Sequence, residues 1–310
     1  MNNLLGNPEI KQELARGNFA HAYLIAGEEG MGKKTLARLF AQQLTGDTRG
    51  AALRDEHPDV LWLAPKDAAK RSIPVDEVRD FRKEAYVLPN QSPKKVLIVP
   101  CDLLNENGQN AILKVLEEPP AHAVFLLLAT SREAVLPTVR SRCVIWEMQP
   151  VDEQEGVAFL QQRYPNEQRL STLLRAAGGN LGKAMAYLDG GTLLAYGDLG
   201  VKFLGKLCRN KRLEADQLLA GLPKGDFGAF LDSFARLCHD FLLFKTDRQS
   251  ENIVFSESVL QIKGFLGRMK LVQLYKMSAL TLDCNTVLME NGNENLIKVS
   301  FIAEMGELLS

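Results

Sequence analysis

The chain is short of histidine and cysteine, of runs that could cross a membrane and of surplus charge to grip a polyanion. Its 310 residues hold 4 scattered histidines and 5 cysteines, at 101, 143, 208, 238 and 284, with no CxxC pair. An odd, widely spaced set of thiols argues against a disulfide framework and for a reducing compartment. No apolar run approaches the ~18 residues of a membrane-spanning helix. The opening MNNLLGNPEIKQEL has no apolar core of the secretory-signal kind. The expectation is a cytoplasmic chain with no membrane partner. An excess of one charge is missing too: 37 basic residues face 38 acidic ones, for a net charge of −1. Non-specific nucleic-acid binding is mostly phosphate neutralisation by surplus Lys and Arg. This chain alone is therefore not expected to hold DNA, except through a local basic patch. No repeat or low-complexity tract breaks the sequence.

What is present falls into two styles. Through residue 148, short apolar runs alternate with helical patterns. AYLIA (22–26), VLWLA (60–64), KVLIV (95–99), VFLLLA (124–129) and CVIWEM (143–148) read as strands. Leu36, Leu39, Phe40 and Leu44 recur at helical spacing, and VDEVRDFRKEAYVL (75–88) reads as a helix ended near Pro89. Asn105 can cap a helix running to Glu118, stopped by Pro119 and Pro120. Alternating strands and helices imply a parallel sheet with crossover helices. Apolar strands without a polar face imply helices on both sides of that sheet. The fold class is α/β here. After Pro150 the strands stop. A small helical unit follows over 151–190, then a break at Asp189-Gly190-Gly191, then an all-helical remainder. There Phe227, Phe230, Leu231, Phe234, Leu237, Cys238, Phe241 and Leu242 share one helix face. The stripe reads as a bundle core rather than a cofactor box; whether the amphipathic helices bury it within the chain or against a partner stays open.

GEEGMGKKT, residues 27–35, follows the first strand and opens a helix, the setting of a phosphate-binding loop. Gly27, Gly30 and Gly32 allow backbone N–H groups to wrap phosphates, and Lys33 can reach the β and γ phosphates. The pattern then needs a hydroxyl for Mg²⁺. Lys34 stands there instead, and Thr35, one residue on, is rotated by ~100° around the helix. An ATPase also needs an acidic pair ending another buried strand, but KVLIV runs into Pro100-Cys101. Asp102 is the nearest carboxylate, and it serves equally as a turn residue. A plain glycine turn would use the same loop, although strand, loop and helix together favour an inherited phosphate site. The expectation is that ATP or ADP can sit at Gly27–Lys33 without being hydrolysed, and that no cofactor is required. The rival is an autonomous ATPase whose metal is held by Thr35 and Asp102. A third reading is a nucleotide sensor without ring partners.

HAYLIAGEEGMGKKTLA, HPDV, KVLIVPCDLLNENGQNAILKVLEEPPAHAVFLLLATS and LPTVRSRC together resemble the bacterial clamp-loader subunits of DNA polymerase III. These AAA+ proteins open a ring-shaped sliding clamp and place it on primed DNA during replication. The resemblance is strong over residues 5–150 and continues weakly through GGNLGKA to NGNENLI. With its degenerate metal positions, the chain is similar to the delta-prime type rather than the ATP-burning gamma/tau type. The resemblance implies an AAA+ domain over 1–148, a helical lid over 149–192 and a helical collar that oligomerises over 193–310. It implies gamma/tau-like and delta-like partners in a hetero-oligomeric ring, with sliding clamp and primed DNA met through the complex. Ser141-Arg142-Cys143 matches the trans-acting element, whose arginine reaches the ATP of an adjacent subunit; a surface salt bridge is the plainer role for Arg142. Thr130 would be the sensor ending its strand, or simply a strand-end hydroxyl. Lys183, in GGNLGKA, sits where the family often has a second sensor arginine. Lys114 could meet DNA or only solvent. Members often carry a four-cysteine zinc module before HPDV; TGDTRGAALRDEHPDV has no cysteine, and His57 alone cannot build a tetrahedral site, so no zinc is expected.

Overall fold

A computed structural model describes residues 4–66, 72–190, 192–247, 253–255, 267, 269–289 and 292–309. The chain divides into two compact units, residues 1–158 with 180–183, and residues 159–179 with 184–310. That division differs from 1–148, 149–192 and 193–310: the residues of the expected lid are shared between the two units.

The first unit is built on five parallel strands, β1 (Ala22–Ala26), β2 (Val60–Trp62), β3 (Lys95–Pro100), β4 (Ala123–Ala129) and β5 (Val144–Glu147). Their order across the sheet is β2-β3-β4-β1-β5. Every residue of β1 and β4 is buried. Alternate residues serve opposite faces, as the pleat requires. Tyr23, Ile25, Val96, Ile98, Val124 and Leu126 pack with Leu36, Phe40 and Leu44. Leu24, Leu97, Val99, Phe125 and Leu127 pack with Val78, Ile112, Val115 and Val139 on the other side. This two-sided cover accounts for strands that show no polar alternation. The helices are α1 (Pro8–Arg16), α2 (Lys33–Thr45), α3 (Val75–Lys83), α4 (Glu106–Glu117), α5 (Pro137–Arg140) and the start of α6 (Glu153–Arg163). At the head of α4 the Asn105 side chain accepts a hydrogen bond from Gly108 N at 2.9 Å. The helix expected over 75–88 ends at Lys83; Glu84–Tyr86 tightens into a 3₁₀ turn, and Tyr86, Val87 and Leu88 stand exposed.

The second unit is helical, with α7 (Leu170–Ala176), most of α8 (Leu181–Gly190), α9 (Thr192–Leu207), α10 (Arg212–Ala220), α11 (Phe227–Thr246), α12 (Leu271–Met289) and α13 (Glu294–Leu309). The stripe on α11 is an intramolecular core: Phe227, Phe230, Phe234, Leu237 and Phe241 are fully buried. Phe203, Phe227, Phe230, Phe234 and Phe301 form a ring cluster with centroids 5.6 to 6.4 Å apart. At ~1.5–3 kcal/mol for each fully buried side chain, this cluster is a main stabilising feature of the unit.

Candidate nucleotide loop and the Arg142 edge

The glycine loop leaves β1 at its carboxyl end and leads straight into α2, so its backbone N–H groups gather at a helix N-terminus. Gly30 has φ 86°, a conformation that L side chains rarely adopt. Lys33 folds back on the loop: its ammonium donates to the Gly27 carbonyl and, at 2.9 Å, to the Glu28 carbonyl. Burial pulls the Lys33 pKa down, while Asp102 and Glu29 oppose that shift. Phosphates would have to draw the ammonium off these carbonyls. Lys34 and Thr35 are both exposed. Asp102 is occupied elsewhere, accepting from the Thr130 N–H and the Thr130 hydroxyl, each at 3.0 Å. The loop thus fits a phosphate chain, but Lys34 offers no oxygen for Mg²⁺, and Asp102 spends one oxygen on Thr130.

A segment remote in sequence is fastened to the same loop. Asn180, buried, donates to the Glu29 carbonyl at 2.8 Å and accepts from Lys183 N at 3.0 Å. Gly182 N donates to the Gly30 carbonyl at 3.0 Å. A Cβ at position 182 would lie 2.5 Å from Gly30 Cα and 2.7 Å from Gly30 O, so only glycine fits this approach. Asn180 and Gly182 make the contact. The side chain of Lys183 is exposed, with no hydrogen bond or ion pair among the described residues.

Ser141 and Arg142 lie at the other end of the sheet. Arg142 follows the short helix α5, which α4 positions: the buried Gln109 amide donates to Ala134 O at 3.1 Å and accepts from Leu136 N at 2.8 Å. The Arg142 guanidinium donates from Nη1 to Thr138 O at 2.7 Å and to Ser141 Oγ at 3.1 Å, and from Nη2 to Glu117 Oε1 at 2.6 Å. Burial pushes the Cys143 thiol up to about 12, so it stays a thiol at neutral pH. Arg142, Ser141, Glu117, Leu116 and His21 line an open concavity of about 500 Å³. His21 immediately precedes β1 and the glycine loop immediately follows it. Five strand residues at ~3.3 Å each separate the two ends by roughly 16 Å.

The structure therefore brings Thr130 to Asp102, Gly30 to Gly182, and Ser141 to Arg142. It places Arg142 and the glycine loop at opposite ends of one strand. Glu117, Gln109, Asn180 and Gly182 were not singled out in the sequence. Another is Asp59, the acid of HPDV. It is buried and accepts from Asn90 N at 2.6 Å, Gln91 N at 3.0 Å, Ser92 N at 3.1 Å and Ser92 Oγ at 2.8 Å. Burial raises its pKa, but these hydrogen bonds outweigh burial and hold it below the usual carboxylate range. His57 spends Nδ1 on Asp59 N at 3.1 Å, the turn role expected of it.

Residues 7–152 match the family model described as DNA polymerase III, delta subunit. The chain is 34% identical over 180 residues to DNA polymerase III subunit delta' of Pseudomonas aeruginosa, covering 53% of this chain and 55% of that one. It is 32% identical over 224 residues to DNA polymerase III subunit tau of Escherichia coli, covering 67% of this chain and 34% of that one. The chain thus spans about half, or less, of the length of these curated relatives. Among solved structures, a DNA polymerase III gamma subunit-related protein of Thermotoga maritima aligns at 20% identity and a TM-score of 0.48, over 98% of this chain and 99% of that chain.

Proposed function

We propose that this chain, whose residues 7–152 match the family model described as DNA polymerase III, delta subunit, acts as the delta-prime-type member of a clamp loader. In this reading it joins gamma/tau-like and delta-like subunits in a ring that loads a sliding clamp onto primed DNA. It lends Arg142 to the ATP site of a neighbour and hydrolyses no ATP itself. It carries no zinc.

The observation that carries the reading is the separation along β1. Arg142 stands beside His21 while the glycine loop begins at Gly27. With ~16 Å of strand between them, the guanidinium cannot serve its own loop, and any phosphate it meets belongs to another chain. A planar, permanently charged fork suits developing charge on a transferring phosphoryl group. A chain that binds nucleotide at Gly27–Lys33 would hold the phosphates with loop N–H groups and Lys33; the nucleotide would supply only its phosphate charge and base to that fit.

The test is steady-state ATP turnover by a complex reconstituted with partner ATPase subunits, clamp and primed DNA. Arg142→Ala is expected to assemble normally and lower turnover by about tenfold or more. Arg142→Lys should rescue poorly, because an ammonium lacks the bidentate fork. Parent-like turnover by an assembled Ala variant removes the claim. A second reading, an autonomous ATPase, draws support from the relatives named gamma/tau and tau. It predicts Mg²⁺-dependent turnover by the isolated chain that Lys33→Ala abolishes; our reading predicts none.

A further inference from the structure

Arg142 is not a loose surface arginine. A guanidinium has five N–H groups, and three are engaged here: two on Nη1, by the Thr138 carbonyl and the Ser141 hydroxyl, and one on Nη2, by Glu117. The Nε–H and one Nη2–H have no partner among the described residues. Glu117 ends α4, while Thr138 belongs to α5. The Gln109 amide ties the approach to α5 back to α4. The acceptors around the guanidinium therefore come from parts of the chain that are fixed to one another. The free donors and the positive charge belong to a side chain that borders the concavity of about 500 Å³.

We infer that Glu117 is the positioning residue of Arg142, fixing the guanidinium so that two N–H groups remain available to an anionic oxygen of an adjoining chain. This inference rests on the reading of Arg142 as a trans-acting finger. The opposite effect of a carboxylate would be to neutralise the arginine and hold it away from phosphate. The contacts favour positioning. Both side chains are part-exposed, 33% for Arg142 and 49% for Glu117, so solvent screens their mutual attraction. What Glu117, Thr138 and Ser141 together remove is rotameric freedom, which a long arginine would otherwise lose at the moment of engagement.

The experiment uses the reconstituted complex with clamp and primed DNA, reading kcat and KM for ATP. The variants are Glu117→Ala, Glu117→Gln, Arg142→Ala and the double Glu117→Ala/Arg142→Ala. Glu117→Ala should lower kcat about three- to fivefold with KM for ATP unchanged. Glu117→Gln should retain most activity, because its carbonyl oxygen still accepts from Nη2. The double variant should be no slower than Arg142→Ala. An unchanged or raised kcat in Glu117→Ala, or a fall that persists when Arg142 is already alanine, overturns the positioning role and leaves the finger standing. No effect of Arg142→Ala removes the finger and this inference together. If Glu117→Ala melts early, the glutamine variant and the double comparison decide.

Discussion

Gly182 illustrates how little room the contact at the glycine loop leaves. Its missing Cβ would collide with backbone atoms of Gly30, which cannot swing aside as a flexible side chain can. Gly182→Ala should cost about 1–3 kcal/mol, as overpacking typically does. It should also speed exchange of the Gly182 amide, now bonded to Gly30 O; unchanged melting and unchanged exchange would refute the contact. Asp59 argues in a different currency, hydrogen bonds to a buried charge. Asp59→Asn places an NH₂ group against the donor of Asn90 or against those of Gln91 and Ser92, and we expect a loss of about 2–4 kcal/mol in chemical denaturation. Because the folded carboxyl is held below its unfolded value, its stabilising contribution is complete above the unfolded carboxylate range. It is lost as pH falls through the folded value. Stability measured from neutral to acid pH should decline less steeply in Asp59→Asn than in the parent. Neither residue could be weighed from local pattern: Asp59 meets its partners some 31 to 33 positions away, and Gly182 meets Gly30 from a segment remote in sequence.

At the scale of elements, β1, β3 and β4 were legible because each is a nearly continuous apolar run, which burial on both faces demands, whereas β5 carries Glu147 and is mostly exposed. The strand order was not legible, since nothing in AYLIA states that it pairs with both VFLLLA and VIWE. The helix after Pro74 was overextended for a simple reason. Tyr86, Val87 and Leu88 continue the apolar pattern, yet they are exposed, Tyr86 ending a 3₁₀ turn and the other two beyond it, while Asp59 secures the turn at 90–92. The course of the glycine loop, from strand into loop into helix, was legible because that pattern is contiguous, whereas the contacts that Asn180 and Gly182 make with it were not. At the Arg142 edge, Thr138 and Ser141 lie within LPTVRSRC itself, but Glu117 and Gln109 reach it from α4 and could not be read there. Those supports allow an element-level test. Gln109→Ala leaves the Leu136 N–H without its acceptor in a part-buried place. It should destabilise the chain by about 1–3 kcal/mol and raise amide exchange at Leu136 and Val139 before other parts of the sheet. Equal exchange in parent and variant would mean that α5 is held by other means.

For the molecule as a whole, the helical unit holds its aromatic cluster inside and leaves other apolar residues outside. Val272, Tyr275, Leu296 and Val299, on α12 and α13, are each at least 60% exposed. If the chain works in a ring, these are candidates for burial against partner subunits. Tyr275→Asp with Leu296→Asp should preserve the melting temperature of the isolated chain and weaken assembly roughly tenfold or more, read by sizing of mixed subunits; undiminished assembly would clear this surface of that role.

If Arg142 and the glycine loop work as proposed, the strand between them separates an end that gives from an end that receives. A subunit that receives at one end of a strand and gives at the other has polarity, and contacts between such subunits are heterologous, head to tail. Polarity makes position matter. A member whose receiving end cannot burn fuel is wasted in the interior of a row but harmless at its terminus, where only its giving end is used. The same five residues that separate Gly27 from His21 would then decide not only whom this chain serves but where in line it must stand.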